Sequence, residues 1–168
     1  FPVKGRMRKI LSLCLVSLIP LIPTRAADVS PEAMRIHREA LVIDGHNDLP
    51  WEVRDRFAGD LAKIDLGADT SKLPAPAGAP ALMTDIPRLR AGHVGAQFWS
   101  VWIPVSTKGP EAVRMTIEQI DIVKAIAARW PRDFAMAYSV ADIRRAQREG
   151  RIASLIGVEG GHQIDDSL

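Results

Sequence analysis

Residues 152–162 read IASLIGVEGGH, and this stretch decides the fold. Its first seven residues, Ile152–Val158, are uncharged and mostly apolar, which is typical of a β-strand buried on both faces. Such strands belong to parallel sheets covered by helices, and the residue that follows one lies at the edge where α/β proteins bind ligands. Glu159 occupies that place, and the two glycines after it leave room for a ligand beside the backbone.

Two earlier segments are expected to form the other strands. Residues 41–44 (LVID) lead into Gly45-His46-Asn47-Asp48, and residues 94–101 (VGAQFWSV) combine apolar and aromatic side chains. Buried strands that alternate with helices predict parallel β/α units, about three of them. Helices are expected over 30–40, 85–90, 110–129 and 139–150, and a surface loop over the Gly-, Ala- and Pro-rich residues 67–80.

Capping residues and spacing support these helices. Ser30 precedes Pro31, and Ser139 lies three residues before Asp142, as N-terminal capping requires. The apolar residues of 110–129 recur at helical spacing and predict one buried stripe: Val113, Ile117, Ile120, Val123 and Ala127.

The chain is short for the architecture that this order of elements suggests. A complete (β/α)8 barrel takes roughly 250 residues, whereas this chain has 168. A sheet that ended on a bare last strand would leave one edge and one face uncovered. We therefore expect an N-terminal portion of a TIM-type barrel, with about the first three β/α units, that is unstable and inactive alone.

The first 26 residues have the pattern of a secretory signal peptide. Residues 7–9 are a short basic start, and residues 10–22 form an apolar core of 13 residues, shorter than the roughly 20 that span a bilayer. Small residues at 24–27 offer a cleavage site. We expect residues 1–26 to be removed, with Phe1–Arg6 upstream of the true start at Met7.

The mature chain, residues 27–168, is then expected to be secreted or periplasmic, with retention of the signal as a membrane anchor as the alternative. Five of the 22 basic residues lie in the signal, so the mature part holds 17 basic and 20 acidic side chains. This balance gives no electrostatic reason to expect nucleic acid as a partner. Cys14 is the single cysteine and lies in the signal, so the mature part has no disulfide and no cysteine nucleophile.

His46, Asp48 and Glu159 are the candidate metal ligands. Side chains two residues apart in an extended chain point the same way, so His46 and Asp48 can reach one point beyond the strand end. Imidazole and carboxylate suit Zn²⁺ or a similar divalent ion, although each motif alone also fits a polar turn. Parallel strands bring Glu159 to the same edge, and the three residues together predict a partial metal site.

The other histidines fit this site less well. His162 has three roles open to it: support of the ligands, contact with substrate, or a buried polar residue. His37 is expected on the surface of the first helix, and His93 at the wrong end of its strand. Three aromatic side chains are expected in the core rather than in a binding platform: Phe98, Trp99 and Trp102.

Three segments together resemble the membrane (renal) dipeptidase family, peptidase family M19. They are VIDGHNDLPW at 42–51, IPRLRAG with VGAQFWSV at 86–101, and ASLIGVEGGH at 153–162. The likeness runs from about residue 30 to 168 and is weakest over 58–82. It implies a (β/α)8 barrel with two Zn²⁺ ions that hydrolyses the peptide bond of dipeptides by a metal-bridging hydroxide.

By this resemblance, His46 and Asp48 bind one zinc ion, and Glu159 bridges both and is catalytic. The family's remaining metal histidines, a further active-site histidine and the contacts for the substrate carboxylate come later in its sequence. Dipeptides are therefore the expected substrates; the family accepts a D-residue at the C-terminal position, and some members open β-lactam rings. The oligomeric state stays open, with a homodimer as one candidate.

Two other functions remain open on the sequence. One is another amidohydrolase-type metallohydrolase that acts on a cyclic amide or β-lactam, which a lysine bridge in later strands would favour. The other is a metal-free secreted binding protein, against which the intact His46, Asp48 and Glu159 argue.

Overall fold

The computed structural model describes residues 29–74 and 78–166. The expected signal peptide, its cleavage site and Cys14 therefore lie outside the described residues. Within these ranges, no helix combines the length and the apolar character needed to cross a membrane.

One sheet of four parallel strands organises these residues, which confirms the expected α/β class. Because the strands run in the same direction, their C-terminal ends meet at one edge of the sheet. In chain order the strands are β1 (Val42–Asn47), β2 (Val94–Val101), β3 (Phe134–Met136) and β4 (Ile152–Val158). Across the sheet they lie in the order β1-β2-β4-β3.

The described residues also include five α-helices: α1 (Pro31–Glu39), α2 (Leu49–Phe57), α3 (Ile86–Ala91), α4 (Gly109–Arg129) and α5 (Val140–Arg148). Two of them begin at the expected serine caps. The Oγ of Ser30 accepts a hydrogen bond from the backbone N–H of Ala33 at 3.1 Å, and the Oγ of Ser139 accepts one from Asp142 at 3.2 Å. These bonds satisfy N–H groups that have no partner within the helix.

Two elements differ from the sequence expectation. Helix α2 begins directly after Asp48, in a stretch for which no helix was predicted, and Pro50 lies in its first turn, a place that proline favours. Strand β3 is three residues long, too short to show a periodic pattern. With β3 the described sheet has four strands, where about three were expected.

The position of β4 in the sheet also differs from the expectation of a bare last strand. Residues 153–158 pair with β2, and residues 152–154 pair with β3 on the other side. Along the chain, β3 therefore forms first, one strand position away from β2. The chain then returns to form β4 between β2 and β3. This order puts the end of β4 next to the end of β2, with β1 on the far side of β2.

Helices cover both faces of the sheet. Neighbouring residues of a strand point to opposite faces, and Ile152 and Ala153 of β4 accordingly belong to different clusters. Ile152 packs with Trp99, Phe134 and apolar residues of α2 and α4. Ala153 packs with Ala96 and residues of α5. Helices α2 and α4 thus lie on one face and α5 on the other.

Helix α4 buries a face that differs in part from the expected stripe. Ile117, the second residue of that stripe, is 54% exposed, whereas Thr116 and Gln119 are buried. The Thr116 hydroxyl donates to the carbonyl of Ala112 at 2.8 Å, and the Gln119 amide donates to that of Trp102 at 3.0 Å. Because the backbone accepts these hydrogen bonds, polar side chains can occupy the buried face, which an apolar pattern cannot reveal.

The segment 67–80 is expected as a surface loop, and its first part is fixed to the domain by the buried Thr70. The backbone N–H of Thr70 donates to Oδ2 of Asp85 at 3.0 Å, and its hydroxyl donates to the carbonyl of Thr84 at 2.8 Å. Asp85 also accepts from the backbone N–H of Arg88 at 2.8 Å and so caps α3. The loop is therefore tied to the start of α3.

Candidate metal centre

The C-terminal end of β1 presents two of the expected ligands. His46 belongs to the strand, and Asp48 follows it as the residue before α2. Nε2 of His46 lies 3.1 Å from Oδ1 of Asp48, in agreement with side chains two residues apart pointing the same way. The side chain of Asp48 makes no capping hydrogen bond to α2, so its carboxylate is available to a ligand.

Asn47, which lies between these two residues, is held by a hydrogen-bond network. Its side-chain nitrogen donates to Oγ1 of Thr84 at 3.0 Å and to Oε1 of Gln97 at 3.3 Å. Its Oδ1 accepts from the backbone N–H of Leu49 at 3.0 Å. Gln97 is fully buried on β2 and also donates to the carbonyl of Asp44. The network fixes the junction of β1 and α2, and with it the residues on either side of Asn47.

Glu159 follows β4 at the same edge of the sheet. Its backbone N–H donates to the carbonyl of Val101 at 3.1 Å and so extends the pairing with β2. Its Oε2 accepts a hydrogen bond from the hydroxyl of Ser100 at 2.9 Å and lies 3.7 Å from Nε2 of His46. The sheet thus brings the residue after β4 to the end of β1.

His46, Asp48 and Glu159 form one group, in which each offers a ligand atom and all of these atoms lie within 4.8 Å of one another. One imidazole nitrogen and two carboxylates suit Zn²⁺ and similar divalent ions. The three side chains are 55%, 58% and 50% exposed, so an ion could reach them from solvent. The donor set fits a divalent metal, and the role of these residues as its ligands stays a prediction.

A groove of about 270 Å³ adjoins this group. The rings of Trp51 and Trp102 meet edge to face there, with their centroids 4.8 Å apart, and Glu52 also lines the groove. Trp99 is buried in the core as expected, whereas Trp102, expected in the core as well, forms part of this wall. Aromatic walls beside a polar group suit a small ligand that carries an apolar side chain.

His162 lies outside the group of three. Its ring packs against Gly160, where an added side chain would come within 2.8 Å of the ring. Gly160 has a φ of +111°, which glycine adopts without strain. The Nε2 of His162 is buried and has no hydrogen-bond partner among the described residues. Packing of the loop after Glu159 is the role that its contacts support, and contact with substrate stays a prediction.

The remaining two histidines also lie outside the group, as expected. The rings of His37 and His93 contact each other, with centroids 5.3 Å apart. His93 directly precedes β2, so this pair lies at the edge of the sheet opposite to the candidate metal centre.

Three residues that support the site were not expected from the sequence: Asn47, Gln97 and Ser100. A signal was present for two of them, because Gln97 and Ser100 are polar residues in an otherwise apolar strand. Buried polar side chains normally have hydrogen-bond partners, so each implied a partner nearby. The pattern could not tell that the partner of Ser100 is Glu159, which is distant in the sequence.

Comparison with known proteins gives consistent matches. A family model described as membrane dipeptidase (peptidase family M19) matches residues 31–168. The chain is 37% identical over 137 residues to Dipeptidase 3 of Mus musculus, an alignment that covers 82% of this chain and 25% of that protein. It is 39% identical over 134 residues to Dipeptidase ataJ of Aspergillus terreus (strain NIH 2624 / FGSC A1156), which covers 75% of this chain and 30% of that protein. The chain therefore spans between a quarter and a third of the length of these relatives.

Two solved structures share the fold. A metallo peptidase from Rhodobacter sphaeroides, liganded with a phosphinate mimic of the dipeptide L-Ala-D-Ala, matches with a TM-score of 0.56 at 16% identity, over 73% of this chain and 39% of that one. The probable dipeptidase PvdM from Pseudomonas aeruginosa matches with a TM-score of 0.57 at 18% identity, over 81% of this chain and 32% of that one. At these identities the likeness concerns the fold alone.

Proposed function

Because the chain belongs to the membrane dipeptidase family, peptidase family M19, we propose that the complete protein is a metallo-dipeptidase, a hydrolase that cleaves the peptide bond of dipeptides. The observation that carries this proposal is the group formed by His46, Asp48 and Glu159. It lies within the matched residues and at the C-terminal ends of parallel strands, which is where α/β barrels carry their catalytic residues.

In this proposal the cofactor is zinc, with two ions in a complete site. His46 and Asp48 would hold one ion, and Glu159 would bridge both. Zinc, when bound, supplies a Lewis acid that polarises the scissile carbonyl and makes water a nucleophile at neutral pH. Each ion needs about four ligands, so further ligands would come from the part of the family's length that this chain does not span.

The remaining side chains around the group would bind and orient the dipeptide. The rings of Trp51 and Trp102 offer an apolar wall for the side chain next to the scissile bond and would keep water away from it. The Asn47 network holds His46 and Asp48 in place before substrate arrives, which spares the cost of ordering them during the reaction.

We also propose that the complete fold is a (β/α)8 barrel in which β1, β2 and β4 are the first three long strands. Their parallel pairing and the shared edge of their C-terminal ends support this arrangement. The short β3 would then be an addition beside the N-terminal half of β4, with which it pairs over residues 152–154.

The function can be tested on the complete protein by metal analysis and a dipeptide assay. We expect two zinc ions per chain and hydrolysis of L-Ala-D-Ala, chosen because a phosphinate mimic of it is the ligand of one structural relative. A chelator should abolish the activity, and added Zn²⁺ should restore it, since the ions supply the activated water. Turnover of cyclic amides without turnover of dipeptides would favour the alternative metallohydrolase, and absence of metal binding would contradict both.

We further propose that the protein is exported, with a secreted or periplasmic location. The support is the sequence pattern of residues 1–26: a basic start, an apolar core of 13 residues and small residues at the expected cleavage site. N-terminal sequencing of the exported protein should find a chain that begins near Ala26 or Ala27. A mature chain that still begins at Met7 would contradict cleavage and support a retained anchor.

A further inference from the structure

We infer that Ser100 is a positioning residue for Glu159, which it holds in the orientation that the metal site requires. The inference rests on the proposed function, because it takes Glu159 to be a metal ligand. It starts from one contact: the hydroxyl of Ser100 donates a hydrogen bond to Oε2 of Glu159 at 2.9 Å.

Glu159 needs such a partner because little else restrains its side chain. Its backbone N–H is fixed by the carbonyl of Val101, but its side chain is 50% exposed and has three torsions. The last of these torsions has no sharply preferred value. Oε2, the oxygen that Ser100 holds, is also the oxygen 3.7 Å from Nε2 of His46. The hydrogen bond therefore fixes the oxygen that faces the rest of the site.

Ser100 is well placed for this role because it is buried and lies in a central strand. It is 3% exposed and lies in β2, which is paired with β1 on one side and β4 on the other. In the pairing of β2 with β4, Ser100 lies opposite Gly157. Gly157 is two residues before Glu159, so the two residues lie on the same face of the sheet. Since Gly157 has no side chain, nothing separates the serine hydroxyl from the carboxylate.

The hydroxyl contributes more than packing, because a hydrogen bond to an ionised carboxylate is stronger than one between neutral groups. It also leaves the other lone pairs of the carboxylate free for cations. Groups that orient metal ligands in this way typically change metal affinity by 10- to 100-fold when they are removed. A small effect on stability and a large effect on metal binding should therefore distinguish positioning from a structural role.

The test compares Ser100→Ala with Ser154→Ala in the complete protein. Ser154 is a matched control, because it is fully buried in the neighbouring strand and its hydroxyl has no hydrogen-bond partner among the described residues. Affinity for Zn²⁺ alone is measured by competition with a chromophoric chelator, and thermal unfolding of the metal-free proteins is recorded in parallel. We expect Ser100→Ala to lose at least about 10-fold in affinity for zinc, and Ser154→Ala to bind zinc as the wild type does.

Each outcome bears on one of the two proposals. Ser100→Ala with wild-type zinc affinity would overturn the positioning role, and so would an equal loss of affinity in Ser154→Ala. A wild-type protein that binds no zinc would overturn the proposed function instead. Dipeptide turnover adds a second readout: excess Zn²⁺ should restore much of the activity of Ser100→Ala, because this variant keeps every ligand, and failure of zinc to raise its turnover would count against the role.

Discussion

Replacement of Glu159 by glutamine in the proposed two-zinc dipeptidase is expected to lower dipeptide hydrolysis at least about 100-fold, which is about 2.7 kcal/mol of transition-state stabilisation. Glutamine keeps the size and shape of the side chain but removes its negative charge. One amide oxygen cannot serve two cations as a carboxylate does, and the amide nitrogen would face a metal ion. The second ion should therefore bind weakly, and water should lose its activation.

Folding of Glu159→Gln should be close to normal, because Glu159 lies after the strand and is half exposed. Zinc stoichiometry, dipeptide turnover and the unfolding transition are measured together for the variant and the wild type. Glu149→Gln is the matched control, since Glu149 is an exposed residue at the end of α5, remote from the candidate metal centre. Two tightly bound zinc ions and near-normal turnover in Glu159→Gln would rule out the bridging role.

Replacement of Trp99 by alanine is expected to cost about 3–5 kcal/mol of unfolding free energy, the usual range for a large aromatic residue in a core. Trp99 is fully buried, and its ring packs edge to face on Phe134 with centroids 5.8 Å apart. It lies between the sheet and helices α2 and α4. An alanine would leave a cavity at the centre of this layer, and the strands that carry Glu159 and His46 would lose a shared support.

Trp99→Phe removes the indole N–H with a much smaller loss of side-chain volume than Trp99→Ala. The Nε1 of Trp99 is buried without a hydrogen-bond partner among the described residues, so removing it should cost little in hydrogen bonding. We expect Trp99→Phe to lose far less stability than Trp99→Ala. Urea unfolding of the complete protein, followed by circular dichroism, gives both values. Equal losses in the two variants would show that volume is not the deciding property.

The sequence was most informative where neighbouring residues alone determine the structure. The bounds of β2 and β4 and the caps at Ser30 and Ser139 follow from apolar runs and from capping chemistry, and the structure has them as expected. Helix α2 was not expected from the sequence, although Pro50 is a helix-start signal. The exposed Ile117 shows a different limit, because the phase of an amphipathic helix depends on which polar residues find partners in the fold.

The candidate site shows the same division between local and long-range information. The approach of His46 to Asp48 follows from their spacing alone, and that of Glu159 from the rule that parallel strands end at one edge. Their supports could not be derived in this way, because the partners of Asn47 and Ser100 depend on the order and register of the strands. A change of register by one residue would turn Ser100 away from Glu159.

Asp48 and Glu159 are far apart in the sequence, yet their ligand atoms lie within 4.8 Å of each other. This arrangement bears on the lifetime of the protein. An ion held by both would act as a non-covalent cross-link that closes a loop through most of the described chain. Its ligands meet only after β1, β2 and β4 have paired, so the ion would bind the native state and not the denatured one. At a free concentration of a thousand times its dissociation constant, such an ion adds about 4 kcal/mol to native-state stability. With the proposed zinc site, metal-free molecules would then unfold more readily than metal-loaded ones and be more open to proteases.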